Sequence, residues 1–203
     1  MDWHRKAMAQ VLYHGTSSSK AAEEILASGI RPGDLEGRKN WLTPVPGRVY
    51  LTPSLKYAVI YALGGVMMGH DVPAEWFVKE GPSGYVFEVP AGDLQDAQPD
   101  EDSVGEAVYE KKFAWLNYLA ERVVAPSRLE KVYGGEYIYF ASVGKQLMRH
   151  LSDGQKRVLM DAGANVAHKG AIKPIRAWKF DKRKSKQLAG DASNFFELAE
   201  RVL

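Results

Sequence analysis

The run Val11-Leu12-Tyr13-His14-Gly15-Thr16 constrains this fold more than any other stretch of the chain. Val11–His14 predicts a short strand with Leu12 and His14 on one face and Val11 and Tyr13 on the other, because strand side chains alternate. A helix must begin almost at once. Ser19 is an N-cap candidate, Glu23 and Glu24 lie toward the positive end of the dipole, and Gly29 is the natural terminator. Ala21, Ala22, Ile25 and Leu26 share its apolar face. A second strand–helix passage follows. In Arg48–Leu51 the alternation turns Tyr50 away from Val49 and Leu51, and Thr52-Pro53 predicts a capped helix with proline at its first position. Leu55, Ala58, Val59 and Ala62 form its buried stripe, Tyr57 and Tyr61 its flank, and Gly64-Gly65 its end. Residues 31–47, rich in glycine, proline and polar groups, predict a loop able to cover a ligand.

Further along, Gly84–Val89 predicts a third strand, followed by an acidic loop over Asp93–Asp102. Ser103 and Glu106 predict a capping box opening a long helix that runs to about Val124 and stops before Pro126. Glu136–Phe140 is strand-like. Ser152 and Gln155 predict a second capping box, with Gly163 ending that helix. Val166–Ile172 and Ile175–Phe180 predict a strand pair, and Ser193–Leu203 a final amphipathic helix. Strands that do not simply alternate with helices indicate α+β. At 203 residues the expectation is one domain, 1–203, with a helical insertion at about 103–163.

Composition excludes several classes. Apolar residues make up 45% and charged residues 26%, as in ordinary globular proteins. No apolar run is long enough to span a bilayer. The N-terminal residues lack a signal-peptide core, so the cytoplasm is the expected compartment. With no cysteine there is no disulfide, thiolate or zinc–sulfur chemistry. His70, His150 and His168 show no metal-ligand spacing, and no phosphate loop or Rossmann fingerprint is present. The net charge of +2 hides an asymmetry: seven acids and no base lie between Asp93 and Glu110, against eight bases and one acid between Lys169 and Lys186. Such runs are usually solvated faces; the sharper reading is that 169–186 grips an anionic partner such as nucleic acid. Trp178 and Phe180, interleaved there, fit a strand facing a core.

On these residues the chain resembles the ADP-ribosyltransferases of the His-Tyr-Glu type, the poly(ADP-ribose) polymerase and diphtheria toxin-like catalytic domains. Their first strand ends in histidine, glycine and a small hydroxyl residue, as His14-Gly15-Thr16 does here. Their second carries a tyrosine after a glycine, matched by Gly47 and Tyr50, and a later tyrosine falls at Tyr61. The resemblance covers about the first third of the chain. It implies a split mixed β-sheet core with flanking helices, NAD as co-substrate, and transfer of mono-ADP-ribose to a macromolecular acceptor, protein or nucleic acid. It places nicotinamide between Tyr50 and Tyr61, its carboxamide on the backbone of Gly15, and the adenosine ribose on His14, with Thr16 beside them.

The third catalytic position is a carboxylate that stabilises the oxocarbenium-like charge formed as nicotinamide leaves. Gly134-Gly135-Glu136-Tyr137-Ile138 resembles the motif in which glutamate opens a late strand. This makes Glu136 the first candidate, beside His14 and Tyr50. The rival is the rifampicin ADP-ribosyltransferase pattern, with an aspartate in an acidic loop after the third strand; it points to Asp100–Asp102. A third arrangement makes Val166–Ile172 the late strand, with Asn165 or His168 in place of the acid. Related activities are NAD glycohydrolysis and NAD-dependent RNA 2′-phosphotransfer, although the latter family has a histidine where this chain has Tyr50. A silent ADP-ribose- or nucleic-acid-binding module is the alternative of another class.

Overall fold

The computed structural model describes residues 11–32, 47–63, 81–94, 96–162, 166–184 and 194–203. The chain is α+β with two antiparallel sheets. Its elements are β1 (Val11–Thr16), α1 (Ser19–Ser28), β2 (Arg48–Leu51), α2 (Leu55–Ala62), β3 (Ser83–Pro90), β4 (Gln98–Pro99), α3 (Glu101–Tyr109), α4 (Ala114–Val123), α5 (Pro126–Tyr133), α6 (Phe140–Met148), α7 (Asp153–Asp161), β5 (Val166–Lys169), β6 (Arg176–Asp181), α8 (Phe195–Leu198) and β7 (Glu200–Arg201). One sheet has the order β1-β3-β6-β7, the other β2-β5-β4. Two compact units result: 1–36, 46–96 and 168–203 form the first, and 37–45 with 97–167 the second.

In the first unit, His14 lies opposite Phe87 and Tyr13 opposite Glu88 in the β1–β3 pair, while Glu88 faces Arg176 in the β3–β6 pair. Alternation therefore puts Tyr13, Gly15, Val86 and Glu88 on one face of the sheet and His14 on the other. Helix α2 seats on the Gly15 face. A Cβ at Gly15 would stand 1.9 Å from the carbonyl oxygen of Ala58, and one at Gly84 would stand 2.6 Å from that of Ala62. Two bare backbones thus let the helix reach the sheet, and Ala58, Val59 and Ala62 form one core with Val86, Trp178, Phe180 and Phe195.

Caps differ from expectation where the sheet has a prior use for the residue. Thr52 does not open α2; its backbone exchanges two hydrogen bonds with Tyr13, at 2.8 and 2.9 Å, and Ser54 caps the helix instead. Ser18, one residue before the expected Ser19, caps α1 through a 3.3 Å bond from Ala21 N–H. Gly29 ends α1 as expected, at φ 86°. Among the described residues of the expected 193–203 span, α8 is the α-helix and β7 is a strand that pairs with β6. The two late strands are present as β5 and β6, but they do not pair: β5 joins the three-stranded sheet and β6 the four-stranded one.

The second unit is helical. Its core gathers Val104, Val108, Leu116, Val132, Phe140, Val143 and Leu147, among others. The long helix expected from Ser103 to Val124 is two helices, broken where Lys111 takes a left-handed φ of 52°. Asp100, not Ser103, caps the first of them. Glu136–Phe140 is not a strand: Tyr137–Tyr139 is a 3-10 turn running into α6. Among the described residues no strand pairs with this segment, and Phe140 is buried as the first residue of a helix instead. The capping box of Ser152 and Gln155 forms as expected. Among the described residues no helix is long and apolar enough to cross a membrane. The expected loop over 31–47 lies largely outside the described residues, as do Gly64-Gly65, His70, Gly163 and Asn165.

Candidate functional site

Histidine 14 sits near the end of β1 with its Nδ1 3.1 Å from the carbonyl oxygen of Tyr50. A carbonyl only accepts, so Nδ1 carries the hydrogen and Nε2 keeps its lone pair. Burial lowers the His14 pKa from its ordinary value, opposed in part by the bond to Tyr50. The ring is therefore a neutral acceptor over the physiological range, suited to a hydroxyl and not to a phosphate. The same bond fastens β1 to β2 at the residue that carries the Tyr50 side chain.

Gly15 adds the third element. Its flush contact with Ala58 and Ala62 fixes α2 against β1, and Tyr57 and Tyr61, both half-buried, ride on that helix. His14, Gly15, Tyr50 and Tyr61 thus come from three elements locked to one another within a single unit. Thr16, next in line, spends its hydroxyl on the β1–α1 turn, accepting from Ser18 N–H at 3.3 Å. Buried Lys182 donates from Nζ to the Ser17 carbonyl at 2.8 Å and anchors the same turn from β6's far end.

Glu136 belongs to the second unit. It stands at the head of the 3-10 turn, and its carboxylate accepts from Lys131 Nζ at 3.2 and 3.4 Å with the side chain 47% exposed. The strand on which its likeness to the polymerase glutamate rests is absent. Asp100 and Asp102 lie in the same unit. Asp100 is buried and accepts from Asp102 N–H and the Ser103 hydroxyl, both at 3.2 Å. Burial above all, then the charges of Asp102 and Glu101, pushes its carboxyl up to about 7. Asp102 is pushed up to about 6 by burial and Glu101, against the opposing pull of Lys145 and the Ala141 N–H.

Two polar pairs in the first unit are not apparent as pairs in the sequence, although His168 by itself is the stand-in for the acid in the third arrangement above. Glu88 is almost wholly buried on β3, with Oε1 2.7 Å from Arg176 Nη2. Burial first and Glu88 second raise the phenol pKa of Tyr13, and Arg176 counters them. The available signal was that both faces of Tyr85–Val89 are otherwise apolar, which marks a central strand and hence a buried acid. The other pair is His168 and Asp96: Nδ1 of the ring faces Asp96 Oδ1, and Asp96 Oδ2 accepts from Lys169 N–H at 3.1 Å. Both are close contacts rather than aligned hydrogen bonds, since Glu88 Oε1 and His168 Nδ1 meet no partner at hydrogen-bond geometry.

The basic segment is partly consumed by the fold. Arg176 pairs with Glu88, Lys182 with the Ser17 carbonyl, and Arg183 clasps Asp181 at 2.6 Å. Lys169, Lys173 and Lys179 are exposed, while Trp178 and Phe180 are buried in the core as the strand reading expected. Among the described residues no group of three histidines or acids could hold a metal ion. No protein-family model matches the sequence, and no curated protein matches it.

Proposed function

We propose that the chain is an NAD-dependent ADP-ribosyltransferase whose first unit holds NAD. The observation that carries this reading is the bond between His14 Nδ1 and the Tyr50 carbonyl. It joins the first two positions of the His-Tyr-Glu pattern and leaves Nε2 to accept from a ribose hydroxyl. Gly15, whose bare backbone supports α2, presents its own N–H and C=O to the carboxamide. Tyr50 and Tyr61 supply flat apolar walls for the nicotinamide ring. In the reaction the ribose–nitrogen bond breaks, its electron pair leaves with nicotinamide, and the acceptor oxygen or nitrogen bonds to the anomeric carbon. A carboxylate stabilises the charge formed on the way. Glu136 was the first candidate for it and the Asp100–Asp102 pair the second.

Calorimetry with NAD tests the pocket. Tyr61→Ala removes one stacking face and is expected to weaken binding by about 1–2 kcal/mol; unchanged affinity removes the clamp. Incubation with labelled NAD and lysate then separates transferase, glycohydrolase and silent binder. Label on a macromolecule, free nicotinamide alone, and no reaction are the respective outcomes. Glu136→Gln and Asp102→Asn decide the acid. The one whose loss lowers nicotinamide release by about 10²–10³-fold, with NAD affinity kept, is the stabiliser.

A further inference from the structure

We propose that Asp96 and His168 form a proton-accepting pair that activates the nucleophile receiving ADP-ribose; this rests on the function proposed above. His168 lies on β5, the strand beside β2 in the three-stranded sheet, and β2 carries Tyr50. Its side chain is 13% exposed, enough to reach a bound molecule while most of the ring is held by protein. Asp96 is fixed from its other oxygen by the Lys169 N–H. A carboxylate against Nδ1 requires the hydrogen on that nitrogen, because two lone pairs would repel. Nε2 is thereby left as a base with a defined direction.

His14 gives its Nδ1–H to a neutral carbonyl and sits where burial disfavours a charged ring. It can orient a hydroxyl but is a poor proton acceptor. His168 instead turns its Nδ1 toward the Asp96 carboxylate, a negative charge placed to balance the positive one that appears when Nε2 takes a proton. In the step so assigned, the acceptor's O–H proton passes to Nε2 and the oxygen's electron pair forms the new bond to the anomeric carbon. The old carbon–nitrogen bond breaks, nicotinamide leaves neutral, and the imidazolium returns its proton to water. No further reactant is needed.

The experiment uses the full chain, NAD, and two probe nucleophiles, water and azide. Azide carries no proton to remove. His168→Gln is expected to slow nicotinamide release in water by about 10²–10⁴-fold with NAD affinity unchanged. Azide should restore release to within about tenfold of the unaltered protein, with ADP-ribosyl azide as the product. Asp96→Asn should show the same pattern more weakly. Release in water unaffected by His168→Gln, or slowed without azide rescue while NAD still binds, overturns the proposal. Loss of helical circular dichroism in both variants makes the pair a structural tie and overturns it too. Failure of the unaltered protein to bind NAD is a separate result: it overturns the function above, and the pair's role with it.

Discussion

The two units bury ionisable groups in opposite senses. The first encloses His14, a base whose pKa burial lowers from its ordinary value. The second encloses Asp100 and Asp102, acids that burial raises to about 7 and about 6. In each case the neutral form is preferred, but neutrality means losing a proton in one unit and keeping one in the other. Burial of the same physical kind therefore gives the two units opposite responses to acid.

Backbone packing offers the sharpest way to separate them. Gly15 in the first unit and Gly144 in the second each face a carbonyl oxygen, of Ala58 and of Glu101, that an added Cβ would approach to 1.9 Å. Neither contact can be relieved by turning a side chain. Gly15→Ala and Gly144→Ala are each expected to destabilise their own unit by about 3 kcal/mol or more. Thermal unfolding followed by far-ultraviolet dichroism should show Gly144→Ala removing most of the helical signal and Gly15→Ala only the smaller share that α1, α2 and α8 contribute. Equal loss of helix in both variants would mean the units melt as one body.

Charge removal in the first unit should be lopsided. Arg176→Ala leaves the Glu88 carboxylate buried without a counter-charge, whereas Glu88→Gln leaves a guanidinium that is 47% exposed and already reaches water. The arginine variant is expected to cost about 3 kcal/mol and the glutamine variant about 1 kcal/mol, by urea denaturation at neutral pH. The reverse order would show that Glu88 is held by something other than the ion pair.

The pH response follows with its sign. Asp100 and Asp102 have folded pKa values above the unfolded value of 3.8, so between about pH 4 and 7 the folded second unit holds protons that the unfolded chain releases. Its stability falls as pH rises through that window and levels off above it. His14 does the opposite: its folded pKa is lowered, and its contribution is present above the unfolded value of 6.5 and lost as pH falls below it. Melting at pH 5 and pH 7.5 should move the two units in opposite directions, and Asp100→Asn should flatten the second. The smallest expected effect is Ser152→Ala, about 1 kcal/mol confined to the second unit through the capping box.

What was legible in the sequence follows the same division. Local signals sufficed where a pattern and its partner lie close in the chain: α1 with Gly29, the stripe of α2, the strand Ser83–Pro90, and the capping box at Ser152. They misled where a distant segment claimed the residue first. Thr52 looked like a cap and serves Tyr13 in the sheet. Glu136–Phe140 alternates like a strand and is a turn and the start of α6, with Phe140 buried in the helical core. Of the candidate site, the order His14, Tyr50, Tyr61 could be read along the chain. The bond from His14 to a backbone carbonyl could not, because a carbonyl belongs to every residue and leaves no mark on composition. The pairing of His168 with Asp96 escaped for a related reason: 72 positions separate two residues that meet only after β5 is placed.

The anchoring of the Ser17 turn by Lys182 sets a timetable for synthesis. These partners stand 165 positions apart, and β3, between β1 and β6 in the sheet, has its second edge filled only by β6. At about 5–20 residues per second, a ribosome takes roughly 8 to 33 s to travel from one to the other. During that interval the helical segment 97–167 has emerged complete and can fold on its own contacts. The strand bearing His14 must wait, its turn unanchored, for the last portion of the chain. A nascent or C-terminally truncated product would therefore carry the His14, Tyr50 and Tyr61 residues without the framework that holds them in register.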